Sequence, residues 1–293
     1  GSSYGCDRYK LRKNDRGLHA GLKYAHIHVL AAPGTGLSIR VKAVANTLLS
    51  GIFYLFSFSY IHVMKKLVIL TGAGMSAESG IRTFRDSGGL WEQYKVEEVA
   101  SIEGWYRNPD LVQKFYNERR RQLEKAVPNA GHTGLRELEK LFDVHIVTQN
   151  VDDLHERAGS TSVLHLHGLL TQARSSKNPD SIIDIGYRDI RPGEKAADGS
   201  SLRPNIVWFG EAVPAMEAAA DIASRAELFA VIGTSLNVYP AAGLIHYVPA
   251  STPVFLIDPK PVTVYTNHKV DYISEGAGKG ISILAGKLKA FAV

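Results

Sequence analysis

From Lys66 onward the chain repeats one theme: short, almost uninterrupted apolar runs rich in β-branched residues, separated by stretches with helical periodicity. The runs are KLVIL (66–70), VHIVT (144–148), SVLHL (162–166), NIVWF (205–209), LFAVIG (228–233) and VFLID (254–258). Near-continuous apolar runs predict strands buried on both faces, and helical stretches at about 109–127, 131–141, 152–158 and 213–226 supply the layers that cover them. The fold class this predicts is α/β, a Rossmann-like doubly wound parallel sheet. Between about Leu170 and Pro204 the pattern lapses into SSKNPDSIIDIGYRDIRPGEKAADGSS, polar and rich in turn residues. That composition predicts a small inserted module, with Ile182, Ile183, Ile185 and Tyr187 as its inward-facing residues.

One helix carries an irregularity. Asn108-Pro109-Asp110 predicts a helix start, with Asn at the cap, Pro in the first turn and an acid near the positive end of the dipole. Val112, Tyr116, Arg119, Leu123 and Ala126 then recur at alternating spacings of four and three, an inward stripe in which Arg119 takes an apolar slot. An unpaired charge there costs several kcal/mol, so Arg119 calls for an anion. Arg120 and Arg121 fall on other faces and read as solvated charges.

Charge changes the picture only at the N-terminus. Residues 1–63 hold eight Lys or Arg against two Asp or Glu, while the remaining 230 residues hold 26 against 27. The formal net charge of +5 is therefore local, and no basic footprint for nucleic acid extends over the main domain. Cys6 is the only cysteine, which excludes disulfides and thiolate metal sites within the chain. Residues 6–40 show no sustained period. Ala43–Met64 contains no Asp, Glu, Lys or Arg and is long enough to raise a membrane helix. Met64-Lys65-Lys66 leads at once into LVILTGAG, however, and about three residues cannot carry a chain from a bilayer into the middle of a buried sheet. The expectation is an extension over 1–63 without a catalytic role, a natural start at Met64, a catalytic domain over 64–293, no membrane partner and a cytoplasmic location.

Candidate chemistry gathers where strands end. In TGAGMSAESGIRTFR, Gly72, Gly74 and Ala77 fit the small-residue turn that lets backbone N–H groups approach a pyrophosphate at a helix N-terminus. The acid a dehydrogenase needs about 20 residues on is missing, since Glu97 and Glu98 read as a solvated helix face, and hydride transfer loses ground. Arg85 is placed to meet phosphate or ribose oxygens from a flap. In TQNVDDLH, Gln149, Asn150 and Asp152 follow a strand where open α/β sheets bind ligands, although Asp152 equally suits a helix cap. His165 and His167 share a strand face, and His167 precedes Gly168 at the strand end, within reach of a ligand as a base. GTSLNVYP adds a small-residue turn with two hydroxyls, and Asp258 ends a further strand.

Taken in order, GAGMSAESGIRTFR, PNAGHTGL, QNVDDLH, HLHG, LRPNIVWFGE and GTSLNVYP closely resemble the sirtuins, NAD-dependent protein-lysine deacylases, over essentially all of 64–293. SGIRTFR with Arg82, and FYNERRR, resemble the bacterial branch of the class that removes acidic acyl groups. The resemblance implies that Gly72, Ala73, Gly74, Arg85, Gln149, Gly233, Thr234 and Ser235 hold NAD, with Asp258 near the adenosine ribose. Asn150 and Asp152 would line the nicotinamide pocket, and His167 would be the general base. Val207, Phe209 and Gly210, with the stretch around Val238, would clamp an acyl-lysine protein or peptide as an added strand. Tyr116 and Arg119 would bind the carboxylate of a succinyl or malonyl group. In the implied mechanism the acyl oxygen attacks the ribose carbon as nicotinamide leaves, and the products are free lysine and O-acyl-ADP-ribose. Protein ADP-ribosylation and a non-catalytic NAD-binding module are the alternatives. Most relatives carry four zinc-binding cysteines between the HG and WFGE motifs, whereas 168–208 here contains neither Cys nor His, so no zinc is expected.

Overall fold

The computed structural model describes residues 25–30, 38–43, 64–81 and 94–292. Arg82 and Arg85 lie outside the described residues, as does nearly all of the uncharged run 43–64. Contacts divide the chain into two compact units, Gly1–Val63 and Met64–Val293. In the first unit, β1 (Ala25–Leu30) pairs antiparallel with β2 (Ser38–Ala43), with Ile27 opposite Val41 and Val29 opposite Ile39. The sequence pattern misses these strands because each alternates for only six residues.

The second unit is built on a parallel six-stranded sheet: β3 (Lys66–Thr71), β4 (Asp143–Thr148), β5 (Val163–His165), β9 (Leu228–Ile232), β10 (Val254–Ile257) and β11 (Val270–Ile273). Its spatial order is β11-β10-β9-β3-β4-β5. The chain starts in the centre, winds to one edge and then returns to wind to the other. This is the doubly wound arrangement, with its switch point between β3 and β9. Pleating sends alternate residues of β3 into opposite layers. Leu67 and Ile69 pack with Leu135, Ile281 and Leu284 on one face, and Val68 and Leu70 pack with Ala219, Ala223 and Leu244 on the other. All four β3 side chains have 0% exposure, which is why KLVIL carries no alternation.

Two strand assignments are corrected. NIVWF contributes no strand to the main sheet. Its first two residues end β8 (Leu202–Ile206), which lies in a separate antiparallel sheet ordered β7-β6-β8 with β6 (Gly168–Ser175) and β7 (Ile182–Asp184). All five β8 residues are buried, partly against the Pro109–Lys125 helix, whose Gln113 donates Nε2–H to the Leu202 carbonyl at 2.6 Å, so β8 imitates a central parallel strand. The sixth strand of the main sheet is instead β11, an edge strand whose polar Asp271 and partly exposed Tyr272 break the apolar run. In the inserted module, Ile182 and Ile183 are exposed rather than inward. The small core consists of Ala173, Ile185, Ile190 and Leu202, while Tyr187 packs toward the neighbouring cluster around the Pro109–Lys125 helix.

The Pro109–Lys125 helix starts as expected, with the Asn108 side chain accepting from the Leu111 N–H at 3.1 Å. Its buried surface is wider than one stripe, and Arg120 is not a solvated charge: it is 0% exposed. Its guanidinium donates to the Asn117 side-chain oxygen and to the Leu170 carbonyl, and burial pulls its pKa down to about 10. The helix is covered on one side by the module and on another by Trp105 and Trp208, so two of its faces are interior.

Candidate active site

The site forms at the switch point because two backbones meet there. The Gly72 N–H donates to the Ile232 carbonyl at 3.0 Å, and the Gly74 N–H to the Gly233 carbonyl at 2.8 Å. A Cβ on Gly72 would lie 2.6 Å from Thr234 Cβ, and one on Gly233, whose φ is +63°, would lie 2.4 Å from the Met75 nitrogen. These glycines therefore serve loop packing as well as ligand approach. The strand does not enter a long helix here. It passes into two short 3-10 turns, Ala73–Met75 and Ala77–Ser79, so the expected helix N-terminus is absent among the described residues.

Beside this junction lies a cavity of about 440 Å³. It gathers nearly every residue expected from sequence: Gly72, Ala73, Gly74, Gln149, Asn150, Asp152, His167, Gly233, Thr234 and Ser235. Tyr116, Arg119, Val207, Phe209, Gly210 and Val238 complete the set. Asp258 does not join them. It is buried at the end of β10, where its Oδ1 accepts from the Lys260 N–H at 2.9 Å and closes a turn.

The cavity floor is a polar chain of side chains. Ser76 donates to Asp152 Oδ2 at 2.9 Å and accepts from Asn150 Nδ2 at 3.1 Å. Asp152 also accepts from the Leu154 N–H at 3.3 Å, a turn that leads into the short helix Leu154–Arg157, whose cap position is Asp153 and not Asp152, while the Asp152 side chain lines the cavity. Burial raises its pKa, and the Ser76 and Leu154 donors oppose the shift. Ser76 had no assigned role, although it stands inside the quoted GAGMSAESG stretch. Its hydroxyl is common to too many turns to stand out in a single sequence.

His167 and His165 diverge. His167 Nδ1 lies 3.0 Å from the Gln149 carbonyl, and a carbonyl only accepts. The proton is therefore on Nδ1, and Nε2 keeps its lone pair on a ring that lines the cavity. Burial lowers the His167 pKa, with the carbonyl contact opposing, so the ring is neutral and basic at neutral pH. His165 is a packed residue held between the Asn150 carbonyl (3.0 Å) and Glu156 (2.7 Å). Burial opposes its protonation, but Glu156 prevails and raises its pKa.

Also on the cavity wall, Tyr116 is 2% exposed and burial lifts its pKa to about 12. Arg119 is half-buried one turn on, its guanidinium carbon 5.8 Å from the Phe115 ring centre. Burial lowers its pKa while Tyr116 and Asp152 pull it back up. A phenol and a guanidinium on one cavity wall form a pair of donors suited to an anion.

The chain is similar to known proteins. Residues 72–240 match the Sir2 family. The chain belongs to that family. It is 56% identical over 226 residues to an "NAD-dependent protein deacylase" of Bacteroides thetaiotaomicron, covering 75% of this chain and 97% of the relative. A protein of the same description from Helicobacter pylori is 51% identical over 225 residues, covering 77% and 98%. Among solved structures, a Sir2 homolog–NAD complex is 38% identical with a TM-score of 0.71, covering 78% of this chain and 91% of that one.

Two further histidines of this Sir2 protein lie behind the floor. His132 and His155 are buried edge to face, ring centres 4.9 Å apart, and His155 Nε2 meets Thr71 Oγ1 at 3.1 Å. Burial lowers the His132 pKa to about 4, with Glu156 opposing, and holds His155 well below 6.5, helped by His132 and His165. An unfolded histidine takes its proton near pH ~6.5, so below that pH the unfolded chain binds more protons than the folded one. Stability is then lost as pH falls from ~6.5 through about 4, with His132 alone accounting for about 3 kcal/mol at the lower end. Denaturant melts across this range are expected to show the decline, and His132→Gln to flatten it; an unchanged slope in that variant would remove His132 as a source.

Proposed function

We propose that this Sir2-family protein is an NAD-dependent protein-lysine deacylase that removes succinyl, malonyl and acetyl groups and releases nicotinamide and O-acyl-ADP-ribose in the cytoplasm. The observation that carries the reading is the shared cavity, which is lined both by a neutral histidine base and by a Tyr–Arg donor pair. The deacylase descriptions of its relatives support it, as does a 28% identical structure of a Sir2 protein with a deacetylated peptide and 3'-O-acetyl ADP-ribose.

Bound NAD would supply a glycosidic bond whose cleavage leaves an electrophilic ribose carbon for the acyl oxygen. The Gly72–Gly74 turn, Gln149 and Gly233–Ser235 line the cavity where the dinucleotide would lie, with the Gly72 and Gly74 N–H groups already bonded to the Ile232 and Gly233 carbonyls, so these glycines serve close approach and not donation. Asn150 and Asp152, fixed by Ser76, orient the carboxamide end. His167 takes the ribose hydroxyl proton at Nε2 while the Gln149 carbonyl holds its Nδ1–H. Val207, Phe209, Gly210 and Val238 flank the path of the peptide; Val207 and Phe209 are held by bonds to His167 and Ala100 at 2.9 Å each. Arg119 and Tyr116 receive an acyl carboxylate.

His167→Tyr is expected to lower turnover about 10²–10⁴-fold, the usual contribution of a general base, while NAD still binds. A folded variant with near-normal deacylation would remove His167 from that role. Arg119→Met is expected to lower kcat/KM for succinyl-lysine roughly 10²-fold, the loss of charge-assisted bonds worth about 3 kcal/mol, and to spare acetyl-lysine by comparison. Equal losses would make Arg119 structural.

The donor set of the inserted module does not suit a zinc ion. Residues 168–208 contain no Cys or His, and among the described residues no group of three His, Cys, Asp or Glu is placed to hold a metal ion. Protein bonds take the place of a metal: Ser175 donates to Asp198 at 2.5 Å, Arg188 pairs with Glu194 at 2.9 Å, and Ile190 and Leu202 fill a small core. Chelator treatment is expected to leave the melting temperature and activity unchanged, and one tightly bound zinc per chain by elemental analysis would refute this.

We assign residues 1–63 no part in catalysis and no membrane partner, since Lys65 and Lys66 lead straight into a central buried strand. A chain beginning at Met64 is expected to keep its kinetic constants. Loss of activity on that removal would show that the segment contributes.

A further inference from the structure

Trp208 and Arg203 have no part in the reaction just described, yet Trp208 lines the same cavity and touches the Tyr116 hydroxyl. Trp208 Nε1 lies 2.9 Å from the Tyr116 hydroxyl oxygen. An indole N–H can only donate, so the Tyr116 oxygen accepts there and its own hydrogen has to point elsewhere. Among the described residues no protein acceptor takes that hydrogen. Tyr116 borders the cavity, and burial keeps it protonated far above neutral pH. The cavity, on the wall shared with Arg119, is where the hydrogen is left to go.

The indole is itself held from several sides. The Arg203 guanidinium stacks 3.5 Å above the Trp208 ring centre, and Trp105 packs against the ring at 5.3 Å. Glu211 accepts from Arg203 Nη1 at 2.8 Å, from Arg203 Nη2 at 2.9 Å and from the Trp208 backbone N–H at 2.9 Å. Arg203 Nη2 also donates to the Ile206 carbonyl at 2.9 Å. Arg203 and Trp208 are 4% and 2% exposed, so solvent cannot substitute for these contacts.

We propose that Trp208, clamped by the Arg203–Glu211 pair, is a positioning residue for acyl-chain selectivity: its N–H forces Tyr116 to present a hydrogen, not a lone pair, beside Arg119. A chain ending in a carboxylate then meets the hydroxyl hydrogen of Tyr116 beside the Arg119 guanidinium. Without the indole N–H, the phenol can rotate and turn its lone pairs toward the carboxylate. An acetyl group, lacking that carboxylate, is indifferent to the choice. The inference rests on the acidic-acyl reading and adds to it Trp208 and Glu211, which line the same cavity, and Arg203, which belongs to β8.

The test uses the full chain with NAD and paired succinyl- and acetyl-lysine peptides. Trp208→Phe keeps an aromatic ring and removes the N–H. The ratio of succinyl to acetyl kcat/KM is expected to fall roughly tenfold, the scale of one oriented hydrogen bond. In a Tyr116→Phe background the same substitution is expected to leave the ratio where Tyr116→Phe put it, because Trp208 acts through that hydroxyl. Equal loss on both substrates, or independent and additive shifts in the double variant, would overturn the proposal. Arg203→Lys keeps a cation for Glu211 but loses the planar stack, so a smaller shift in the same direction is expected. That variant decides the matter if Trp208→Phe does not fold, and no shift in it would also count against the clamp. If Tyr116→Phe and Arg119→Met leave the ratio unchanged, the acidic-acyl reading itself fails. If they move it and Trp208→Phe does not, only the positioning role fails.

Discussion

The contact between the β3 and β9 loop backbones is the constraint on which the site depends. Gly72 and Gly74 bond to Ile232 and Gly233 so closely that a Cβ on any of the three glycines would collide with backbone or a neighbouring side chain. The reversal of winding between these strands opens a crevice above them, and the tight junction closes its base. Residues far apart in sequence, from Gly72 to Pro240, then share one cavity. Bulk at the junction would push the two loops apart and with them the polar floor formed by Ser76, Asn150 and Asp152.

Behind that floor the protein buries polar groups in a connected series. Thr71 Oγ1 donates to Thr148 Oγ1 at 2.8 Å and meets His155, while Thr148 accepts from the Asn150 N–H at 3.0 Å. Buried polar groups are expensive unless bonded, and a network shared among strand ends fixes where each cavity side chain stands. The cost of the arrangement appears on the acid side, because two neighbouring histidines have to stay neutral for it to persist.

The inserted module is tied to the rest by polar side chains along the buried face of the Pro109–Lys125 helix. Asn117 bonds both the Ile190 backbone and the buried Arg120, and Gln113 reaches Leu202. Helix and module thereby share one interior, and the wall carrying Tyr116 and Arg119 is also the module's support. A change in the module that shifts β8 would be felt at Trp208 and, through it, at Tyr116.

The fold class was legible in the sequence because strands buried on both faces carry long apolar runs, as β9 and β10 do throughout and β3 does from Leu67 to Leu70. The same rule misled at β8, where burial between module and helix gives NIV the look of a parallel strand, and it failed at β11, an edge strand with solvent on one side. Most cavity residues were legible too, since glycines, amides and histidines at strand ends in that order have few other uses, and Arg119 stood out as a charge in an apolar slot. Tertiary structure alone decided three matters. It buried Arg120, whose helical position looked solvated until the module covered it. It withheld Asp258 from the cavity by turning its carboxylate back onto Lys260. It set Trp208 against Tyr116 across 92 residues of chain, a pairing no local pattern encodes because it depends on where β8 and the Pro109–Lys125 helix come to rest.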